Sequence, residues 1–277
     1  PAPSQARPRV VERTPRWLAV PALGACACAL VVVLLRFTHS DRPTEETVPP
    51  QAIATAIGEH RPVVLADGSR MHLNTGTKVR VAFSKQRRRV MLDAGEGYFD
   101  VAKDAARPFE VVVGSSVVRA IGTRFLVSRQ ANGQAEVMVL EGVVELLKGK
   151  ADASAPDIET RHSNSPPVRL VMGQSATEQE RLVLLRSLPV PDLERKLAWR
   201  EGRIEFDNTP LVTAIEQVNR YSTVPLRLAD DSLRDVRISG AFSTRDIAVF
   251  VRSLEQGFSL RVEHGPESQL ISRSAAK

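Results

Sequence analysis

The chain has little cysteine and little aromatic character. Of its 277 residues only two are Cys, at 26 and 28, and both lie inside one apolar run at 17–35. Residues 36–277 therefore hold no disulfide and no Cys-ligated metal, and an aliphatic core must stabilise them. Aromatic residues make up 5%, which suits aliphatic strands better than base-stacking platforms. No HExxH, no GxGxxG and no Lys-bearing phosphate loop occurs, and the five His (39, 60, 72, 162, 264) are scattered. These absences give no reason to expect an enzyme, a cofactor or a metal. A concentrated basic face is missing too. The formal net charge is +6. Residues 1–50 hold six Arg against four acids, and the remaining excess is spread over the rest of the chain. That is too dilute for nucleic acid, which requires a clustered basic surface.

The apolar run itself reads WLAVPALGACACALVVVLL, nineteen residues without a charge. At 1.5 Å per residue it roughly matches the ~30 Å hydrocarbon core of a bilayer. Trp17 stands where an interfacial aromatic belongs. Four Arg precede the run (7, 9, 13 and 16), so the positive-inside rule predicts a single span with residues 1–16 cytoplasmic and the C-terminus outside. Two rivals stay open: a cleaved signal peptide ending near Thr38-His39-Ser40, and a lipoprotein-like site at Cys26.

Residues 36–51 are polar and Pro-bearing and read as a linker. From 52 to 177 short alternating runs follow: KVRVAFS (78–84), RVMLD (89–93), YFDVA (98–102), FEVVV (109–113), RFLVS (124–128) and EVMVL (136–140). Gly or Pro punctuates nearly every gap, which predicts an all-β domain, solenoid-like in its stacking. The expected core includes Val64, Leu73, Val81, Leu92, Phe99, Val101, Phe109, Val111 and Phe125. The segment LADGSRMHLN (65–74) places Asp67, Ser69 and His72 close together, as a catalytic or calcium site would. The same residues also spell a hairpin. Asp-Gly between apolar strands favours positive φ, and Asp67 can cap the local backbone. Gly95-Glu96-Gly97 reads as a turn. The cluster at 85–89 (KQRRR) reads as a solvated turn or an anion contact. Residues 149–167 form a polar insertion, and 178–202 a charged connector with a short helix.

Residues 203–277 change character. Arg203-Ile204-Glu205-Phe206 begins a strand, and Thr209-Pro210 predicts a helix start. Leu211, Ile215 and Val218 follow at helical spacing. The pattern recurs 36 residues later, with Phe242, a capping-box-like start at Ser243, and Ile247, Val251 and Leu254. Two βαβ halves predict a small α+β domain. Edge strands of such a sheet could accept a partner's strand, with Glu216, Asn219 and Arg220 supplying polar selectivity.

Taken in order, LADGSRMHLN, RRVMLDAGEGYFDVAKDAARPFEVVVG (88–114), VRAIGTRFLV (118–127), VLEGVVEL (139–146) and VMGQSA (171–176) resemble the FecR family of transmembrane anti-sigma regulators, the iron-dicitrate sensor-like proteins. WREGRIEFDNTPLVTAIEQVNRYSTVPLRL, from Trp199 onward, resembles the short N-terminal domain of secretins and TonB-dependent transducers. The resemblance implies a bacterial inner-membrane protein with its C-terminus in the periplasm. It would relay the state of an outer-membrane TonB-dependent transducer to an extracytoplasmic-function sigma factor, often for iron–siderophore uptake. The family normally carries an anti-sigma domain before the span, whereas sixteen residues precede it here. The sigma factor is thus implied as a partner if an N-terminal domain is missing from this chain. The alternative is a membrane-anchored envelope or peptidoglycan-binding module without sigma-factor control. The expected fold class is therefore a single transmembrane helix, an all-β domain, and a small α+β domain of two βαβ halves.

Overall fold

The computed structural model describes residues 50–130, 132–148, 166–179 and 182–274. Thirteen strands come first: β1 (Gln51–Ala54), β2 (Arg61–Val64), β3 (Arg70–Leu73), β4 (Lys78–Phe83), β5 (Arg88–Asp100), β6 (Phe109–Val113), β7 (Ser116–Ala120), β8 (Arg124–Arg129), β9 (Ala135–Glu141), β10 (Val143–Lys148), β11 (Val168–Val171), β12 (Gln174–Gln179) and β13 (Leu182–Ser187). They form one sheet that curls as half a barrel; nine run in the order β11-β10-β7-β6-β5-β8-β9-β12-β13, and β3 with β2 and β4 with β1 branch from β5. The organiser is β5. Its first half pairs with β4 and β6, and its second half pairs with β3 and β8. Gly95 lies at the change of neighbours with φ 84°. A Cβ there would lie 2.6 Å from the Thr77 Cα, so only glycine lets the two backbones approach.

One core fills the concave side. Phe99 stacks on Phe125 with centroids 5.3 Å apart and tilts against Phe109 at 6.0 Å. Leu73, Leu92, Val101, Val111 and many aliphatic neighbours complete it. Alternation along β5 sends Tyr98 to the opposite, convex face. There Tyr98 is in register with Leu126, and Leu126 with Met138. This row joins a second core formed with the C-terminal residues.

The C-terminal part begins with helix α1 (Val190–Leu197) and a 3-10 turn (Ala198–Glu201). Strand β14 (Arg203–Pro210), helix α2 (Leu211–Asn219), β15 (Leu226–Leu228), β16 (Arg237–Ser243), helix α3 (Ile247–Gly257), β17 (Leu260–His264) and β18 (Gln269–Arg273) follow. The 36-residue repeat has a physical counterpart. Phe206 and Phe242, equivalent positions on β14 and β16, approach to 5.8 Å, and both pack on Phe250.

The expected fold class is corrected on three points. Among the described residues no helix is long and apolar enough to cross a membrane, and the span expected at 17–35 lies outside them. The β unit is no solenoid. Its neighbouring strands are antiparallel apart from β5 with β6, and they wrap one core instead of stacking as repeated coils. The α+β part is not one sheet made from two βαβ halves. β14 pairs with β16, while β15, β18 and β17 form a separate three-stranded sheet, so the two strands of each half do not pair with each other.

Smaller departures share one cause, that local composition was outweighed by tertiary pairing. Gly95-Glu96-Gly97 lies within β5, not in a turn. Arg88 and Arg89, expected in a solvated turn, are 1% and 6% exposed. Val64 is 72% exposed, and its neighbour Leu65 enters the core instead. Within the expected connector, β13 forms a hairpin with β12. Helix α2 starts one residue later than expected, at Leu211, and α3 three residues later, at Ile247, neither with a side-chain cap. Most of the polar insertion at 149–167 lies outside the described residues.

Candidate functional site

The sequence first drew attention to Asp67, Ser69 and His72. The chain turns there on Gly68, whose φ is 83°. Asp67 Oδ1 accepts from the Ser69 amide at 3.0 Å, and its Oδ2 accepts from Ser69 Oγ at 2.7 Å. Oδ2 also accepts from Arg88 Nη1 at 2.8 Å, with both side chains buried. Ser69 Oγ in turn accepts from the Ala102 amide. Arg88 completes its contacts on the carbonyls of Ala102 and Arg107. The cluster is a buried brace joining the β2–β3 turn to β5, with its hydroxyl already engaged. His72 faces elsewhere, edge-on to Tyr98 at 5.9 Å. Burial, and then the Arg200 cation, push its imidazole below the usual histidine range. Among the described residues no group of three His, Cys, Asp or Glu could hold a metal ion.

The structure concentrates polar contacts at another place, the seam between the β unit and the C-terminal part. Tyr221 donates its hydroxyl to Asn74 Oδ1 at 3.0 Å. Asn74 Nδ2 donates to Glu96 Oε1 at 2.7 Å. Arg220 Nη1 reaches Glu96 Oε2 at 3.3 Å, which closes a ring through adjacent residues 220 and 221. Thr75 Oγ1 also donates to the Arg220 carbonyl at 2.9 Å. Burial, opposed by the Arg220 charge, pushes the Tyr221 phenol up to about 12, so it stays a donor at any physiological pH. On the apolar side of the seam the Arg200 guanidinium lies 3.9 Å from the centre of the Tyr98 ring. A cleft of ≈ 220 Å³ opens along this seam, lined among others by Glu96, Arg129, Glu136, Lys196, Trp199 and Arg220.

The three residues expected to meet a partner have different roles. Glu216 is exposed on α2. Asn219 donates to the Leu226 carbonyl at 2.9 Å and accepts from the Leu226 amide at 2.8 Å, fixing β15 to the end of α2. Arg220 belongs to the seam ring. Sequence reasoning missed Asn74, Glu96 and Tyr221. Their signal was faint: a polar Asn-Thr-Gly-Thr run between two strands, and an acid between two glycines.

Residues 51–145 match the family described as FecR protein. That match spans about a third of the chain. Two crystal structures of a proposed anti-sigma factor from Parabacteroides distasonis share the fold, with TM-scores of 0.63 and 0.62 at 22% identity. They cover 81% and 82% of this chain, and 100% of their own. No curated protein matches it. The seam ring thus ties the FecR-matched segment, through Asn74, Thr75 and Glu96, to residues 220 and 221 beyond it.

Proposed function

We propose that this chain is an anti-sigma regulator of the FecR kind. In this reading its described residues work in the periplasm, where they receive the state of an outer-membrane TonB-dependent transducer. The state passes to an extracytoplasmic-function sigma factor that governs iron–siderophore uptake. The observation that carries the reading is the family match over residues 51–145. The fold shared with a proposed anti-sigma factor supports it. The seam adds a physical element. A regulator needs two arrangements that its partner binds with different affinity. The hydrogen-bonded ring, beside the row of Tyr98, Leu126 and Met138 that packs into the C-terminal core, is the contact such a change would alter.

The test is transcriptional. Deleting the gene should change, as one set, the transcripts controlled by a single sigma factor, including an outer-membrane receptor gene. Their response to the inducing iron chelate should also be lost. An unaltered transcript profile refutes the anti-sigma reading. A set that changes yet ignores iron refutes the iron branch alone. Alkaline phosphatase fused after Lys277 should be active if the C-terminal part is periplasmic, and its silence would remove the transducer from the scheme.

A further inference from the structure

A second cavity, away from the seam, is built from the β unit alone. It measures ≈ 420 Å³ and lies among the loop residues Lys103, Ile121 and Thr123, with Arg119 of β7, Val143 of β10 and Arg169 of β11 around it. Its rim is fixed by backbone bonds, Val101 N to Thr123 O at 3.0 Å and Asp104 N to Ile121 O at 3.1 Å. Gly122 lets Lys103 lie across the rim, because a Cβ there would come within 2.3 Å of the Lys103 Cγ.

Three features set this cavity apart. The first is its unmet hydrogen bonding. Thr123 is 6% exposed, yet its buried Oγ1 has no partner. Arg119 donates from Nη2 to Glu110, and its buried Nε is left without one. Native interiors rarely leave such groups unpaired, and each calls for an explanation. The second is charge. Lys103, Arg119 and Arg169 face one carboxylate, Glu145, which lies in cross-strand register between the two arginines. Among the described residues Lys103, Arg169 and Glu145 make no ion pair of 4.0 Å or less. The third is apolar surface. Ile121 is 51% exposed, and Val143 and Ala105 continue its lining. Pockets of this size with an apolar floor and a few convergent polar groups are the usual form of a small-ligand site.

We propose that this cavity binds a short apolar group ending in one carboxylate. The carboxylate would lie beside Thr123 and Arg119, with Lys103 and Arg169 neutralising its charge. The apolar group would cover Ile121 and Val143. Either a free branched-chain carboxylate or the C-terminal apolar residue of a peptide offers this chemistry. The inference does not depend on the anti-sigma reading.

The experiment uses the full chain and four probes: 4-methylvalerate and its amide, and N-acetyl-Leu-Phe and its amide. Saturation-transfer NMR detects binding, and titration ranks the probes. At least one carboxylate should bind about tenfold or more tighter than its own amide, a difference of about 1.4 kcal/mol. The tighter of the two carboxylates identifies the source. Arg169→Ala and Lys103→Ala should each weaken the preferred carboxylate several-fold and leave its amide unchanged. Ile121→Glu should abolish binding, and it alters an exposed side chain, so circular dichroism should show the fold intact. The proposal is overturned if no probe binds, if amides bind as well as carboxylates, or if the folded Ile121→Glu chain still binds.

Discussion

Replacing Asp67 by Ala should be among the more damaging single changes in the β unit, because its side chain is buried against Arg88. Its carboxylate is 6% exposed and lies 2.8 Å from the guanidinium of Arg88, which is 1% exposed. Removing the carboxylate leaves a buried cation. Loss of one partner from such a pair typically costs about 3–5 kcal/mol. Arg88 keeps its bonds to the carbonyls of Arg107, Ala102 and Asp104, at 2.7, 2.9 and 3.4 Å, which favours the lower part of that range. The amide and hydroxyl of Ser69 lose their acceptor as well, adding about 1 kcal/mol. A loss near 3–4 kcal/mol is a large share of the 5–15 kcal/mol typical of a folded protein. The companion variant is Arg88→Met in the Asp67→Ala background. An apolar side chain of similar length removes the stranded charge, so the double variant should be no less stable than Asp67→Ala alone. Urea melts followed by circular dichroism decide the matter. A loss below about 1 kcal/mol for Asp67→Ala, or simple additivity in the double variant, would show that the pair is not coupled as described.

Gly95→Ala should destabilise by about 1–3 kcal/mol from its positive φ alone, with the Thr77 contact adding to it; an unchanged melting midpoint would mean that β5 tolerates a side chain at its kink. Burial pushes the Glu110 carboxyl up, but Arg89 and Arg119 outweigh it and hold it below its ordinary value of 4.5. A depressed folded-state pKa gives stability that is complete above that ordinary value and lost as pH falls through the folded one. The acid-induced loss below pH 4.5 should therefore be shallower in Glu110→Gln, and equal slopes would contradict the pairing. Tyr221→Phe removes one hydrogen bond of the seam ring and should cost about 0.5–1.5 kcal/mol; amide exchange at Asn74 and Glu96 should rise with it, and unaltered exchange would mean that the ring does not hold the seam.

The strands were legible where polarity alternated cleanly. Val79, Val90, Val111 and Phe125 are all buried, as a period of two requires of one face. Val63-Val64-Leu65 is apolar throughout and offers no phase, so Val64 was assigned inward although it faces solvent. Arg88 was misread because a charge run normally marks solvent. Its burial depends on a carboxylate 21 positions away, which no local window contains. Glu96 was hidden between glycines that resemble a turn but form the kink of a long strand. The partner residues show the same limit in reverse. Asn219 and Arg220 are polar and lie near the end of an amphipathic helix, as a docking face would. The chain folds back on them, and the contact from Arg220 to Glu96 spans 124 positions.

The shared strand β5 also limits which changes in length the chain can accept. Its thirteen residues are read by four neighbours at once, β4 and β6 before Gly95, β3 and β8 after it. An inserted or deleted residue in an edge strand disturbs one pairing. In β5 it would shift register against two neighbours and reverse the facing of every later side chain, sending Phe99 outward and Tyr98 inward. Natural variants with insertions or deletions should therefore keep β5 at constant length and place their differences in the turns around it. The distance between Arg88 and Glu96 is in this sense a fixed ruler: it sets how far the Asp67 brace lies from the Arg220 contact.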